Sequence, residues 1–540
     1  MPGAEAITPA TVEAGPSGRV GRLSLVSGNV SFRGSGKAAW TGAGVNYPVF
    51  TGEALRTGSQ ARAEIQIGDN TAGLSDGTEL EMVNLSDRVA QIALSQGRID
   101  LDLRGFRNGE SFEIDLPRAS VWLLTPGCYD IDAGAADQAA RIAVFDGIAR
   151  FVGVVVDLVV KAGDSAELSG SSPAAAATEP AGPDAFGEWC RLRDGDAFRL
   201  PVPHAVSRDM TGAVELASFG RWDSTPDYGQ VWYPDEVPAD WAPYRYGYWK
   251  WIAPWGWTWI DDQPWGFAPA HYGRWALIDE RWAWVPGGWA THPFYAPAVV
   301  AFLGTPAVGL SYAEGNGPAI GWFPLAPNEV YWPSYTDNLD YVRDLNQGDV
   351  RDLEVIRMQQ DGEPPLEVFD GHFANRRFAT VVPRAVFLEG RAAAPALLTL
   401  PEQRLLNAPV LMGSPQIGPP ELHPVVIAAT AILRGGRRDA PRIFAAGRVW
   451  VRAGGETAAH AALLRGHGQV LQLHAAHLRV PAYTLAPHPR HIVLLRIARA
   501  DSGTRRLAGL EPSRSRAGPL AQFGTKQRST ATGAHHMRRT

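Results

Sequence analysis

Apolar and polar residues alternate with a period of two through most of residues 19–168. Typical runs are Ala63-x-Ile65-x-Ile67 and Phe112-x-Ile114-x-Leu116, and turn sequences such as Gly68-Asp69-Asn70 separate such runs. A period of two places successive side chains on opposite faces of a strand. About ten short strands at this spacing predict a β-sandwich or β-roll.

One turn in this region stands out because its sequence is so specific. Asp146-Gly147 separates the apolar run 142–145 from Ile148. Asp-Gly favours the left-handed φ angles of a two-residue turn between paired strands. The sequence therefore predicts a tight hairpin at Asp146-Gly147.

Aromatic residues dominate the next patterned region, residues 216–335, which we call the Trp module. It contains 15 of the 19 tryptophans of the chain. The frame aromatic-Gly-x-Trp occurs three times, at 219–222, 246–249 and 272–275. After each frame a turn leads to a second tryptophan (Trp232, Trp259 and Trp284), and a third follows (Trp241, Trp265 and Trp289).

This repeat predicts a meander of about three hairpins. In the middle repeat, Trp249-Lys250-Trp251 and Trp257-Thr258-Trp259 flank a turn and would place four indoles on one face. Glycines beside the rings (Gly247, Gly256, Gly266 and Gly273) would let aromatic faces lie against bare backbone.

The other segments complete a mostly β fold class. Residues 1–18 are predicted to be a disordered N-terminus, 169–184 a Ser-, Gly-, Ala- and Pro-rich linker, and 185–215 a helical bridge. Residues 336–429 are predicted to form a small mixed α/β region with a helix at 340–351 and a strand at 378–383. The last segment, 430–540, is predicted to be a basic disordered tail.

Charge is divided unequally along the chain. The net charge is −6, but residues 430–540 carry +15 and the preceding residues −21. The basic tail has three open interpretations: out-of-frame translation, a native disordered tail, or nucleic-acid binding. Because the acidic, Trp-rich body has no basic stripe, nucleic acid is not an expected partner.

Composition also limits the other classes of chemistry. Two cysteines, Cys128 and Cys190, provide no disulfide framework, and the isolated histidines His204, His292 and His372 lack metal-ligand spacing, so neither metal nor cofactor is predicted. The N-terminus as written has no export signal, and no apolar run reaches the ~20 residues of a transmembrane helix.

Two parts of the chain resemble known families. The first resembles the FecR-type domain of bacterial envelope proteins, through Val20-Gly21-Arg22-Leu23, Ser27-Gly28-Asn29-Val30, Thr51-Gly52-Glu53-Ala54-Leu55-Arg56-Thr57-Gly58 and Ala61-Arg62-Ala63-Glu64-Ile65. The second is similar to a Trp-rich proteobacterial family, through Trp241-Ala242-Pro243-Tyr244-Arg245-Tyr246-Gly247, Trp255-Gly256-Trp257-Thr258-Trp259 and Asp261-Asp262-Gln263-Pro264-Trp265-Gly266-Phe267-Ala268-Pro269. The resemblance implies a location in the periplasm or cell envelope and no established activity.

The candidate site is an aromatic strip on the Trp module. A module of this size cannot expose all its indoles without aggregating, so about two thirds are expected in the core. The remainder would stack on sugar rings or peptide prolines, with Arg245 and Asp262 as polar contacts. The predicted strip consists of Trp251, Trp255, Trp257, Tyr244, Tyr246 and Tyr248.

Other polar groups of the module favour structure over catalysis. Asp261 and Asp262 are adjacent and would reach one cation or sugar only from a turn, which Asp-Asp-Gln-Pro predicts. Arg274 is expected to stack on Trp275. No nucleophile elbow, phosphate loop or metalloprotease motif occurs in the sequence.

The sequence therefore predicts a non-catalytic envelope protein that binds or scaffolds. Its partner would be a cell-wall glycan, peptidoglycan or an envelope protein. Two alternatives stay open: a signalling component that acts through the FecR-like domain, and a cell-wall hydrolase.

Overall fold

The computed structural model describes most of the chain before residue 419. The described residues are 16–35, 39–106, 109–135, 138–153, 156–169, 174–197, 203–204, 206–288, 293–305, 309–311, 317–353, 356, 373–411 and 413–418, together with 451–452, 463–466, 469–472 and 484–485. Only the backbone is described at 174–180, 196–197, 311 and the four segments after residue 421. The chain divides into two units, Met1–Glu421 and Leu422–Thr540.

The fold is mostly β, as predicted. Eighteen strands precede the first helix, more than the sequence pattern indicated. They are β1 (Gly21–Ser27), β2 (Val30–Arg33), β3 (Thr41–Gly42), β4 (Pro48–Val49), β5 (Glu53–Thr57), β6 (Arg62–Ile67), β7 (Asn70–Leu74), β8 (Glu79–Leu85), β9 (Val89–Gln96), β10 (Arg98–Leu103), β11 (Ser111–Asp115), β12 (Ala119–Leu123), β13 (Gly127–Asp132), β14 (Ala140–Val144), β15 (Ile148–Gly153), β16 (Asp157–Lys161), β17 (Asp164–Ser169) and β18 (Ala174–Pro180).

These strands form two nine-stranded sheets, which together we call the sandwich. Sheet A has the order β18-β17-β14-β13-β10-β7-β6-β1-β4, and sheet B the order β16-β15-β12-β11-β9-β8-β5-β2-β3. Pairing is antiparallel except between β9 and β11. Alternating residues of both sheets, such as Leu80, Met82, Ile92, Leu94 and Ile142, are buried in one apolar core.

Two local predictions for this region are wrong. Asp146-Gly147 does not close a hairpin, because β14 pairs with β13 and β17 in sheet A whereas β15 pairs with β12 and β16 in sheet B. The turn has the predicted left-handed glycine, with φ 92° at Gly147, but it carries the chain between sheets. The predicted linker 169–184 also contains β18, which pairs with the edge strand β17 because β17 offers unpaired backbone groups there.

The outer face of sheet A is covered by a helix, α1 (Ala185–Ala197), within the predicted helical bridge. Arg193 donates to both carboxylate oxygens of Glu64, and Thr71 Oγ1 donates to Asp194. Cys190 Sγ lies so close to Gly73 that a Cβ there would be 2.5 Å away. Sheet A is therefore buried on both faces where α1 crosses it.

The Trp module contains three hairpins, as predicted, but they do not form one meander. Its elements are α2 (Leu216–Phe219), β19 (Gly220–Thr225), β20 (Gly229–Pro234), β21 (Gly247–Ile252), β22 (Gly256–Asp261), α3 (Phe267–His271), β23 (Arg274–Ile278) and β24 (Arg281–Val285). The first and third hairpins join in the order β19-β20-β24-β23, whereas β21-β22 forms a separate two-stranded sheet.

The remaining elements pack around the module. They are β25 (Val300–Leu303), β26 (Leu310–Ser311), β27 (Pro318–Pro324), α4 (Leu339–Asn346), β28 (Thr380–Pro383), α5 (Arg384–Glu389), α6 (Glu402–Asn407) and β29 (Val410–Leu411). Strands β25 to β29 form one sheet. Helix α4 begins one residue before the predicted helix 340–351 and ends within it, and strand β28 lies within the predicted strand 378–383.

The second unit begins at Leu422 and includes the segment predicted to be a disordered tail, residues 430–540. Four short strands of it are described by backbone alone: β30 (Val451–Arg452) pairs with β33 (Thr484–Leu485), and β31 (Leu463–Gly466) with β32 (Gln469–Gln472). The rest of the predicted tail and the predicted N-terminus up to residue 15 lie outside the described residues.

Candidate functional site

Cross-strand tryptophan pairs lie in all three hairpins. Trp222 is opposite Trp232, Trp249 opposite Trp259, and Trp275 opposite Trp284. The middle hairpin adds Trp251 opposite Trp257, so four indoles share one face, as predicted. In that hairpin the ring centroids of both pairs are 5.5 Å apart and the rings meet edge to face, a favourable aromatic geometry.

The glycine of each repeated frame lies under the indole of the hairpin partner. A Cβ at Gly220 would be 2.6 Å from Trp232, one at Gly247 2.6 Å from Trp259, and one at Gly273 2.8 Å from Trp284. No real Cβ tolerates such distances, so the aromatic-Gly-x-Trp frame is a packing requirement. The predicted role of Gly266 is wrong, because a Cβ there would meet the Asp261 side chain instead of a ring.

Among the described residues of the module, ten indoles are buried: Trp232, Trp241, Trp249, Trp255, Trp257, Trp259, Trp265, Trp275, Trp284 and Trp322. Trp289, the third tryptophan of the third repeat, lies outside the described residues. Several also anchor backbone through the indole N–H. Trp232 donates to Leu216 O, Trp284 to Tyr272 O, and Trp322 to Tyr244 O, each at 2.8–2.9 Å. Most of the tryptophans therefore build the module.

The Trp module is attached to the sandwich by a buried polar contact. Arg22 on β1 is fully buried and donates to Gln66 Oε1, Asn46 Oδ1 and Pro264 O, and it forms an ion pair with Glu215. Asn46 Nδ2 donates to the carbonyl oxygens of Asp261 (3.0 Å) and Gln263 (2.6 Å). The backbone of the Asp-Asp-Gln-Pro turn is thus held by the sandwich.

Asp261 within this turn has a structural role. Its carboxylate accepts from Trp259 Nε1 at 2.9 Å and from the backbone N–H of Gln263 at 2.9 Å. Burial raises the pKa of Asp261 to about 7, although both hydrogen bonds lower it. The carboxylate of Asp261 is therefore hydrogen-bonded within its own hairpin and turn. The side chain of the neighbouring Asp262 is exposed. The two carboxylates therefore do not form one site.

The structure does not bring the predicted strip together on one surface. Trp255, Trp257 and Tyr244 are each 2% exposed, because neighbouring aromatic rings and backbone cover them. Trp257 Nε1 donates to Ile417 O, Tyr244 Oη donates to Ala270 O, and Trp255 packs edge-on against Tyr295 and Tyr335. These three residues belong to the core in this structure.

The other five predicted residues lie at separate places. Tyr246 Oη donates to Asp240 Oδ1, and Arg245 donates to Asp240 O. Tyr248 is half-buried against the sandwich, near Gly44. Asp262 comes directly after the end of the hairpin ladder where Gly247 pairs with Asp261, whereas Trp251 pairs with Trp257 near the tip. These two positions are four residues apart along β21, about 13 Å at ~3.3 Å per residue. Arg245 and Asp262 are therefore remote from Trp251.

Trp251 is the predicted residue that the fold leaves open to a ligand. It is 40% exposed near the tip of β21-β22, and Ala253 and Pro254 beside it are exposed too. Its ring is held at 86° to the buried ring of Trp257. The candidate site is thus one fixed, half-open indole face at a hairpin tip.

Sequence reasoning missed a buried polar network around Arg274. Its guanidinium donates to Glu329 O, Gly273 O, Asn346 Oδ1 and Asp349 Oδ2, instead of stacking on Trp275 as expected. Burial raises the pKa of Asp349 to about 6. The adjoining cavity measures about 40 Å³, room for one or two waters. His271 lines it, and burial lowers its pKa to about 3. No sequence signal distinguishes Arg274, because the first frame has Arg221 at the same position.

Within the described residues, no group of three or more His, Cys, Asp or Glu side chains could hold a metal ion. The described helices include none with the length and apolar character needed to cross a membrane.

Comparisons with known proteins give limited matches. Residues 213–329 match a family described as "Family of unknown function (DUF6600)", close to the bounds predicted for the Trp module. No curated protein matches the sequence significantly.

Solved structures were compared as well. Two crystal structures of a putative anti-sigma factor from Parabacteroides distasonis ATCC 8503 are similar to parts of the chain. One is 13% identical and covers 26% of this chain and 64% of its own length; the other is 11% identical and covers 34% and 99%. Both have a TM-score of 0.23, too low to establish a shared fold. The FecR-type resemblance of residues 19–168 stays a prediction.

Proposed function

We propose that this chain is a non-catalytic binding protein of the bacterial envelope, and that its Trp module presents Trp251 to a cell-wall glycan. The envelope location rests on the family resemblance of the sequence. The observation that carries the binding proposal is the contrast between Trp251 and its neighbours: ten indoles of the module are buried, whereas this one is 40% exposed on a rigid support.

The support matters because a fixed ring loses little conformational entropy when it stacks on a ligand. Trp251 belongs to a hairpin whose other face contacts the sandwich: Lys250 Nζ lies 4.7 Å from the centroid of the Tyr47 ring. Its cross-strand partner Trp257 is anchored through Ile417 O. A sugar ring has an apolar face of matching size, and a flat indole binds such faces without a deep pocket.

The test is a titration of the full chain with soluble muropeptides and with chitin oligosaccharides, followed by calorimetry. Trp251→Ala should weaken binding at least ten-fold, about 1.4 kcal/mol. The matched control is Trp122→Ala, since Trp122 is 36% exposed on sheet B and lies outside the module. Equal affinities of the two variants, or no binding of either sugar, would refute the proposal. Binding of a proline-rich peptide alone would replace glycan by protein as the ligand class.

A second function, signalling through the sandwich, is favoured by a different observation. Trp122, Leu124 and Val159 are 36%, 48% and 49% exposed, and all belong to the outer side of sheet B. Exposed apolar groups of this kind mark protein-binding surfaces when they are contiguous. Loss of a captured envelope partner on Trp122→Ser with Leu124→Ser, but not on Trp251→Ala, would support this function.

A further inference from the structure

The end of sheet B combines an exposed apolar surface with an open strand edge. Within the described residues, β16 is the last strand of sheet B and pairs only with β15. Trp122, Arg150 and Val159 follow one another across three adjacent strands. Leu124 N donates to Ile148 O, and Ile148 is opposite Lys161, which gives a second row beside the first.

The hydrogen-bond phase of the β15-β16 ladder identifies the groups that face the open edge. Gly153 and Val156 exchange backbone hydrogen bonds, and Ala162 N donates to Gly147 O. Because bonded and non-bonded pairs alternate in an antiparallel ladder, Leu158 and Val160 bond to β15. The N–H and C=O groups of Asp157, Val159 and Lys161 therefore point away from β15, toward the edge.

The side chains of these three residues are complementary to themselves. Asp157, Val159 and Lys161 share the exposed face of β16, since they are two residues apart. In an antiparallel pairing about a two-fold axis at Val159, Val159 faces its own copy and Asp157 faces Lys161 of that copy. Asp157 also accepts from Arg150 Nε and Nη2 of its own chain at 2.7 and 2.6 Å, so Lys161 of the copy would join an exposed ion pair that already exists. Opposite charges directly across a ladder are stabilising.

We propose that β16 pairs with β16 of a second copy of this chain, joining the two B sheets into one continuous sheet. The pairing would satisfy the outward backbone groups of three residues on each side. It would also cover part of Val159, which is 49% exposed in the single chain. This inference is independent of glycan binding at Trp251, because Trp251 lies in the Trp module and β16 lies in the sandwich.

The expected dimer is weak. Five residues on each side bury far less than the ~1,600 Å² of a stable protein interface, so association is expected only toward the upper micromolar range. Sedimentation equilibrium of the full chain between about 10 µM and 1 mM spans that range. A mass that rises toward the dimer supports the pairing, and a monomer at all concentrations overturns it.

Three variants locate the interface. Val159→Pro removes an N–H that points to the edge and leaves the β15 ladder intact, so it should abolish dimerisation without changing circular dichroism. Lys161→Glu and Asp157→Lys each place like charges across the axis and should each be at least ten-fold weaker. A mixture of these two variants pairs opposite charges again and should form the heterodimer.

Dimerisation should recover when Lys161→Glu and Asp157→Lys are mixed. Variants that had lost association only because their fold was destabilised would not regain it on mixing. Association that persists in Val159→Pro with its fold retained would place the interface elsewhere and overturn the proposal. Failure of the mixture to associate would do the same. A monomeric chain that instead binds an added strand-forming peptide at β16 would assign the edge to a foreign partner and also contradict it.

Discussion

The sandwich and the Trp module are both β structures, but they build their buried cores in different ways. The sandwich has eighteen strands whose aliphatic side chains alternate inward, and long ladders define its two sheets. The module has three short hairpins and fills its core with indoles that meet edge to face. Backbone pairing organises the first region, and ring packing organises the second.

This difference locates the sensitive positions of each region. Aliphatic residues in a long sheet have many similar neighbours, whereas the buried indoles meet specific partner rings. Three of them, Trp232, Trp259 and Trp284, also lie against a bare glycine and donate their N–H to one acceptor. The module also depends on the sandwich, because Arg22 and Asn46 hold the turn that ends its middle hairpin.

Truncation of a central indole should be the most damaging change. Trp259 is fully buried, contacts Trp249, Tyr244 and Trp322, and donates to Asp261. Trp259→Ala should lower the free energy of unfolding by about 3–5 kcal/mol, as for other large core truncations. Guanidinium unfolding measures this loss. The control is Trp251→Ala, expected within about 1 kcal/mol of the native chain because its indole is half open; equal losses would contradict the division of roles.

Removal of the buried charge between the regions should come next. Arg22→Met leaves Glu215, Asn46 and Gln66 without their partner and should cost about 3 kcal/mol. It should also separate unfolding into two steps, with module fluorescence changing before the sandwich. The control Arg33→Met removes an ion pair of a more exposed arginine. A single coincident transition in Arg22→Met would show that this contact does not couple the regions.

The frame glycines separate ring packing from backbone strain. Gly229 and Gly273 both have left-handed φ, 68° and 64°, but only Gly273 lies against an indole. Gly229→Ala should cost about 1 kcal/mol from φ alone. Gly273→Ala should cost about 1–3 kcal/mol more, because its Cβ would collide with Val285 O and with the Trp284 indole. Thermal unfolding of the two variants gives the difference. Equal midpoints would mean that the close approach of strand and ring does not require a bare backbone at Gly273.

The last prediction concerns the slope of stability against pH, at most about 1.4 kcal/mol per pH unit for one group. The pKa of Asp261 is about 7 in the fold against ~3.9 in an unfolded chain, so the folded state binds the proton more tightly. Its contribution to stability is complete below about pH 4 and is lost as pH rises through 7. Asp261→Asn should therefore flatten the fall in unfolding free energy between about pH 4 and 7. Burial also raises the pKa of Asp262, but without the large shift of Asp261, so Asp262→Asn should change the slope less; a reversed ranking in unfolding measured at several pH values would contradict this assignment.

The sequence predicted local features better than long-range ones. Period-two runs predicted the strands, and the tryptophan frames predicted three hairpins but not their division into two sheets. Asp146-Gly147 predicted the left-handed φ of Gly147, but no local signal says whether the next strand joins the same sheet. The Arg22 contact with Pro264 spans 242 residues of sequence and has no pattern to reveal it.

The candidate site was predicted only in part for the same reason. An aromatic residue serves core and surface equally well, so Trp255, Trp257 and Tyr244 could not be told from Trp251 by type. What buries them is the approach of distant segments, such as Ile417 to Trp257 and Ala270 to Tyr244. Whether Trp251 binds a ligand stays a prediction.

The most direct test of the central claim is the solvent exposure of individual indoles. In the full chain labelled with 5-fluorotryptophan, single Trp→Phe variants assign the ¹⁹F resonances, and a soluble paramagnetic agent then broadens exposed rings. We expect strong broadening at Trp251 and almost none at Trp232, Trp259 and Trp284. Comparable broadening at all four would contradict a module built on buried tryptophans with one ring left open.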